Sequence, residues 1–166
     1  MRFLLITLFA TVAMASPRDA YVISLGNYST ISGASVRDIE LAVKRMPDKG
    51  IWVRRGGREY VIVDEKTQRQ TLAVFAPQRA LVPEQKAVSR EESRLDDQID
   101  ELEDQDRLTA AERERLSELR ARMKVVARRE RELDKREEEL DREAERQFWM
   151  LIDAAIRSGL ARPLTR

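Results

Sequence analysis

From Pro77 to Gly159 apolar residues recur at heptad spacing within a run of arginine, glutamate, aspartate and lysine. Leu116, Leu119, Met123, Val126, Glu130, Leu133, Glu137, Leu140, Ala144 and Leu151 follow the alternating three–four step of a coiled-coil seam, interrupted at Gln147. One edge of that seam, Leu119–Val126–Leu133–Leu140, is apolar throughout. The other is apolar at Leu116 and Met123 and then carries Glu130 and Glu137. Such a helix is solvated over most of its circumference and buries one narrow stripe.

The run breaks once. Asp104-Gln105-Asp106-Arg107 is too polar to continue the seam, and Leu108-Thr109-Ala110-Ala111-Glu112 reads as a helix start. Thr109 is placed to cap, Glu112 to complete a capping box, and Leu108 to staple onto the stem of Arg113. The pattern predicts a helical hairpin, with one arm near Glu84–Asp106 and the other from Ala110 onward. Folding back at Arg107 sets Ile99 against Leu116, Leu95 against Leu119, Val88 against Val126 and Leu81 against Leu133. Charge agrees. The first arm is acidic (Glu91, Glu92, Asp96, Asp97, Asp100), and the facing part of the second is basic (Arg113, Arg115, Arg120, Arg122, Arg128). Exposed pairs contribute only about 0.2–1 kcal/mol each, so they select orientation more than they stabilise. The rival arrangement is one uninterrupted helix forming a homodimer through the coiled coil, and the seam pattern alone leaves that open.

Residues 16–76 read as a small α+β module of ββαββ type. Tyr21, Ile23 and Leu25 alternate along a strand over Ala20–Leu25, Gly26-Asn27 turns, and Tyr28–Ser32 returns. Ser35 is placed to cap a helix over Val36–Met46, with Val36, Ile39, Leu41, Val43 and Met46 as its buried side. Ile51–Arg55, Gly56-Gly57 and Arg58–Asp64 form a second hairpin, and Asp64 caps a short helix, Glu65–Phe75. Pro77 and Pro83 mark the passage into the arms, assigned as residues 77–108 and 109–158. A module this short needs further apolar cover. Phe148, Trp149, Leu151, Ile152, Ala155 and Ile156 supply a broad face ending at a C-cap, Gly159. The expectation is that this segment packs back on the sheet, the coiled coil projecting from a composite base, with residues 159–166 a plain tail.

Composition narrows the chemistry. The chain of 166 residues is 37% charged yet carries a net charge of only +1, so it lacks the basic excess of a nucleic-acid binder. It contains no Cys and no His, which removes thiol, disulfide and imidazole chemistry and any zinc site built on those ligands. No Asp-rich calcium loop is present, and no cofactor is expected. At the N-terminus, Arg2, the apolar run Phe3–Val12 and Ala13-Met14-Ala15 have the form of an export signal cleaved after Ala15. That run is short of the roughly 20 residues a membrane span needs. The expected product is periplasmic or secreted, without stable membrane insertion.

Candidate sites are few. Arg54-Arg55-Gly56-Gly57-Arg58 offers three guanidinium groups around a glycine turn, suited either to an anion or to an ordinary exposed turn. Tyr21, Tyr28, Trp52 and Tyr60 read as the packing of one sheet face rather than an aromatic binding surface. Asp38 with Glu40, and Asp64 with Glu65, read as caps and surface charges rather than acid–base pairs. Glu130 and Glu137 interrupt the seam, either tuning partner choice or lying exposed beyond the hairpin contact.

Two resemblances bear on function. Tyr21-Val-Ile-Ser-Leu-Gly, Ser29-Thr-Ile-Ser-Gly, Asp38-Ile39 and Ile51-Trp-Val-Arg-Arg-Gly-Gly-Arg-Glu-Tyr-Val-Ile resemble uncharacterised bacterial envelope segments attached to BlaR-type antirepressor membrane metallopeptidases. The ending Leu151-Ile-Asp-Ala-Ala-Ile-Arg-Ser-Gly-Leu-Ala-Arg-Pro is similar to the tail of those segments. The peptidase His-Glu-x-x-His motif is missing, so the resemblance implies a sensing or interaction role and no proteolysis. Leu108-Thr109-Ala110-Ala111-Glu112 is similar to the Leu-Thr-x-x-Gln motif of Spy/CpxP-like periplasmic chaperones, with Glu112 in place of glutamine. The expected function is a non-enzymatic envelope adaptor that docks a protein partner through exposed residues: Arg54, Arg55 and Arg58, and Glu130, Glu137 and Leu140. The alternative is a Spy- or Skp-like holding chaperone.

Overall fold

The computed structural model describes residues 19–105 and 107–164. The expected export segment, Met1–Ala15, lies outside them. Two compact units are present: the described parts of Met1–Val74 with Arg146–Arg166, and Phe75–Glu145.

The first unit is built on a five-stranded antiparallel sheet with strand order β2-β1-β3-β4-β5. β1 (Ala20–Leu25) and β2 (Tyr28–Ser32) form one hairpin, and β3 (Gly50–Arg55) and β4 (Arg58–Ile62) the other. Gly26 at φ 69° leads a two-residue connection whose second residue keeps negative φ, the pattern of a type II′ turn. Gly56 and Gly57, at 57° and 81°, meet the demand of a I′ turn for positive φ at both positions.

Cross-strand partners share a face. Tyr21, Ile23, Ile51, Val53 and Ile62 therefore lie on one side, and Ala20, Val22, Trp52 and Val61 on the other. Both sides are buried. Helix α1 (Val36–Arg45) covers the second side, packing Ala42, Ile39 and Met46 against Val22, Trp52 and Val61. The buried stripe of α1 differs from the expected one. Val36 is 74% and Val43 69% exposed, while Asp38 and Ala42 are buried. At 100° per residue, Ile39, Ala42 and Met46 lie close together and Val36 and Val43 stand off to one side. Asp38 can be buried because its carboxylate is fully engaged, as described below.

The last turns of α4 (Ala110–Arg157) cover the first side, as expected. The Tyr21 and Phe148 ring centroids are 4.6 Å apart, and Phe148 and Trp149 5.2 Å apart. Phe148 and Ile152 have no exposed surface. Gly159, at φ 74°, ends the helix. The Leu160 amide donates to the Ala155 carbonyl at 3.0 Å and the Gly159 amide to that of Ile156 at 3.2 Å, a Schellman closure. The chain then adds β5 (Ala161–Pro163) beside β4, and the Leu164 amide reaches the Glu59 carbonyl. The expected plain tail is thus partly a strand. Three residues ending in proline show no alternation to read, and proline is tolerated because the strand is an edge. Helix α2 (Glu65–Val74) is capped by Asp64, which accepts from the Thr67 amide and hydroxyl.

The second unit is the helical hairpin. α3 runs Ala76–Glu103, beginning before Pro83 rather than after it. Pro77 sits in the first turn, where its missing N–H is of no consequence. Pro83 removes one interior hydrogen bond, while Leu81 and Val88 on either side are buried. The expected capping box starts α4: the Thr109 amide donates to Glu112 Oε2 at 2.7 Å, and the Glu112 amide to Thr109 Oγ1 at 3.3 Å. Leu108 packs against the seam. Leu81, Val88, Leu95 and Leu102 of α3 and Leu116, Leu119, Val126 and Leu133 of α4 form one buried cluster. Every residue paired in the fold-back register belongs to it or packs against it, so the seam closes within the chain.

Leu95 is 1% exposed at the centre of this seam. Leu95→Ala is expected to destabilise the hairpin by about 2–4 kcal/mol, read as a lower urea midpoint. A change under about 1 kcal/mol would show that the seam is not a packed core.

Candidate functional site

Arg54 and Arg55 are successive residues of β3, so they point to opposite faces of the sheet. Arg54 Nη1 donates to Asp38 Oδ1 at 2.5 Å. Asp38 is the third residue of α1 and the acid of its capping box. Its Oδ2 accepts from the Ser35 amide and hydroxyl, both at 2.8 Å, while its own amide donates to Ser35 Oγ. Burial raises the Asp38 pKa, but the Ser35 donors and Arg54 outweigh it and hold the carboxyl below its ordinary value of 3.8.

Arg55 is more fully committed. Its Nε and Nη2 donate to the two oxygens of Asp153 on α4 at 2.9 and 2.8 Å, and its Nη1 to Asp19 Oδ2 at 2.7 Å. The other Asp19 oxygen accepts the Gly56 amide at 2.8 Å. The guanidinium lies 4.6 Å from the Trp149 ring centroid. Led by the Asp153 hydrogen bond and opposed by burial, these contacts raise its pKa. This planar clasp joins the residue before β1, the β3–β4 turn and the end of α4. The expectation that Arg54 and Arg55 are exposed therefore fails, because carboxylates of the same chain occupy both. Arg58, the third arginine of the turn, is exposed.

The aromatic residues do not form a single surface. Tyr21, Tyr28 and Tyr60 share one face by register, and Trp52 lies on the other. Tyr21 and Trp52 are core, as expected. Asp38 and Asp64 act as caps, also as expected.

On the hairpin, Glu130 is exposed but Glu137 and Leu140 are half-buried. Leu140 packs against the seam cluster. Glu137 Oε2 accepts from Gln85 Nε2 at 2.6 Å, and Asp141 Oδ1 from Gln78 Nε2 at 2.6 Å. Two glutamines one heptad apart thus meet two carboxylates one helical turn apart. Burial raises the pKa of both acids against the pull of these amides, and at Glu137 the nearby Asp141 and Asp134 add to the rise. Among the expected partner-binding residues, Arg58 and Glu130 are the exposed ones, and they belong to different units.

One feature of the hairpin escaped the sequence reading. Along α4, Arg115, Arg122, Arg129 and Arg136 repeat every seventh residue. Arg122 meets Glu91 at 3.8 Å and Arg129 meets Glu84 at 3.1 Å. Beside these pairs lie two open depressions of about 410 and 470 Å³. Arg128, Arg136 and Val125 line the first, and Arg90 and Arg94 the second. None of these four arginines forms an ion pair among the described residues. The seven-residue arginine period was visible in the chain but was masked by the arginines around it, Arg113, Arg120, Arg128 and Arg131. Among the described residues no group of three or more His, Cys, Asp or Glu is placed to hold a metal ion, and no helix is long and apolar enough to cross a membrane.

Two predictions follow from these groups. Arg55→Met removes the counter-charge of Asp19 and the two guanidinium donors of Asp153, leaving Asp19 only the Gly56 amide, and is expected to cost about 1–3 kcal/mol, the partial exposure of the clasp lowering the figure. Chemical denaturation of Arg55→Met, Asp153→Asn and the double variant checks it, and the second substitution should cost little once the first is made. Acid should act oppositely at the Glu137–Asp141 end of the hairpin and in the sheet unit. The raised Glu137 and Asp141 make the hairpin more stable as pH falls through their folded values toward 4.5 and 3.8, and less stable as pH rises through them. The lowered Asp38 contributes stability present above 3.8 and lost as pH falls through its folded value. Hydrogen exchange resolved by segment should show protection around Glu137 and Asp141 rising in the first window and sheet protection falling in the second.

Compared with family models, curated proteins and solved structures, the chain matches none.

Proposed function

We propose that this chain is a non-enzymatic interaction protein of the cell envelope, exported to the periplasm or beyond, which docks a protein partner in envelope sensing. The observation that carries this reading is the arginine-rich flank of the hairpin. The apolar seam is consumed within the chain, so the outer surface of α3 and α4 has little left to offer but charge. That charge is ordered, with guanidinium groups at heptad intervals and unpaired arginines beside shallow depressions. A partner helix bearing carboxylates at the same period suits such a flank, because arginine makes bidentate contacts with carboxylates. Arg58 on the glycine turn is the contact assigned to the sheet unit. The export reading rests on Met1–Ala15 and on the lack of cysteine.

Cross-linking capture in the intact envelope tests the proposal. The expected result is one dominant partner, lost at least tenfold on Arg128→Glu with Arg136→Glu, weakened by salt, and with helix content unchanged. A broad spread of unfolded exported proteins, indifferent to those substitutions, would overturn it in favour of a holding chaperone.

A further inference from the structure

The two edges of the sheet are guarded differently. β5 is short and carries Arg162 and Pro163, features that ordinarily blunt an edge. β2 is the opposite edge, and its sequence Tyr28-Ser29-Thr30-Ile31-Ser32 contains no charge, no proline and no glycine. Its register with β1 is continuous from Tyr28 to Ser32, without a bulge. Leu25 and Tyr28 close the two-residue turn and so form a hydrogen-bonded pair. By alternation Thr30 and Ser32 direct their backbone groups to β1, and Ser29 and Ile31 direct theirs outward. No strand of the described chain meets them.

α1 supplies a second observation. Ile39, Ala42 and Met46 mark the line along which it contacts the sheet. Asp38 stands on one side of that line, where Arg54 of the interior strand β3 holds it. Val36 and Val43, 74% and 69% exposed, stand on the other side, toward the β2 edge.

We infer that β2 is a strand-pairing edge whose occupant is a second copy of this chain, the two β2 strands running antiparallel about a twofold axis through Thr30. The register is self-complementary. Ser29 of each copy exchanges backbone hydrogen bonds with Ile31 of the other, and no like charges are brought together. A twofold axis between antiparallel strands is perpendicular to the sheet, so both α1 helices lie on the same face. Val36 and Val43 of each copy then approach those of the other. A foreign strand could satisfy the backbone, but it would leave these two valines unexplained.

The chain contains no cysteine, so a single introduced thiol reports the contact directly. Facing Thr30 residues form a non-hydrogen-bonded pair with Cα atoms about 4.5 Å apart, within the roughly 4.4–6.8 Å a disulfide spans. Thr30→Cys in the full chain should give a disulfide-linked dimer at least about tenfold faster than Ser93→Cys on α3. By sedimentation equilibrium the unmodified chain should be dimeric. Thr30→Lys and Thr30→Glu should each be monomeric, and mixing them should restore a dimer. Ser29→Pro removes an outward N–H without touching the β1 ladder, and it should also be monomeric if the Thr30 variants fail to fold. A monomer at every concentration would overturn the inference. So would a dimer that survives Thr30→Lys and Ser29→Pro, since its contact would lie elsewhere.

Discussion

The sheet has two apolar faces, and a five-stranded sheet with both faces apolar cannot remain half-covered. Ile23, Ile51, Val53 and Ile62 on one side and Val22, Trp52 and Val61 on the other all fall below one-tenth exposure. α1 is local and covers its side at once. The other side waits for Phe148, Trp149 and Ile152, which follow β4 in sequence only after α2, all of α3 and most of α4. Roughly 25 cal/mol per Å² of apolar surface favours this distant closure. The Arg55 clasp then fixes its registration, because one guanidinium satisfies Asp153 from the covering helix and Asp19 from the start of the sheet.

What could be read from the chain, and what could not, divides by the range of the forces involved. The glycine turns, the Ser35, Asp64 and Thr109 caps and the Gly159 stop are local chemistry, and each forms where its residues predict. The seam was legible because a heptad is a periodic signal. The buried side of α1 was not, because hydrophobicity assigned Val36 and Val43 to the core while the capping geometry of Asp38 and the small side chain of Ala42 decided the packing. The arginine turn was misread for a related reason. A charged residue looks exposed until its counter-charge is found, and Asp153 lies 98 positions from Arg55. Of the expected contact residues, only Arg58 and Glu130 stand exposed, the others being held by partners the chain supplies from far away.

The hairpin resolves a conflict that its sequence poses openly. Glu137 lies on the seam and Asp141 beside it, and a buried carboxylate is costly unless a donor meets it. Gln85 and Gln78 supply neutral donors at those two points. Such polar contacts contribute less to stability than apolar ones would, but they penalise any slip of one helix against the other. A shift by one heptad would move each glutamine away from its acid. The capping box at Thr109 and the arginine–glutamate pairs between α3 and α4 act in the same direction, so orientation is specified more strongly than stability.

The strand at Ala161–Pro163 has a consequence for the birth of the molecule. β4 is made long before its neighbour β5, with Val61 paired to Arg162. A chain emerging from a ribosome N-terminus first can wind its hairpin while the sheet still lacks both its outermost strand and the helix over one face. Until Phe148 and Ile152 are made, Ile23, Ile51, Val53 and Ile62 have no cover. A message cut short before Phe148 would yield a protein with a well-formed arm and a naked sheet, recognisable to proteases and holding factors by that surface alone.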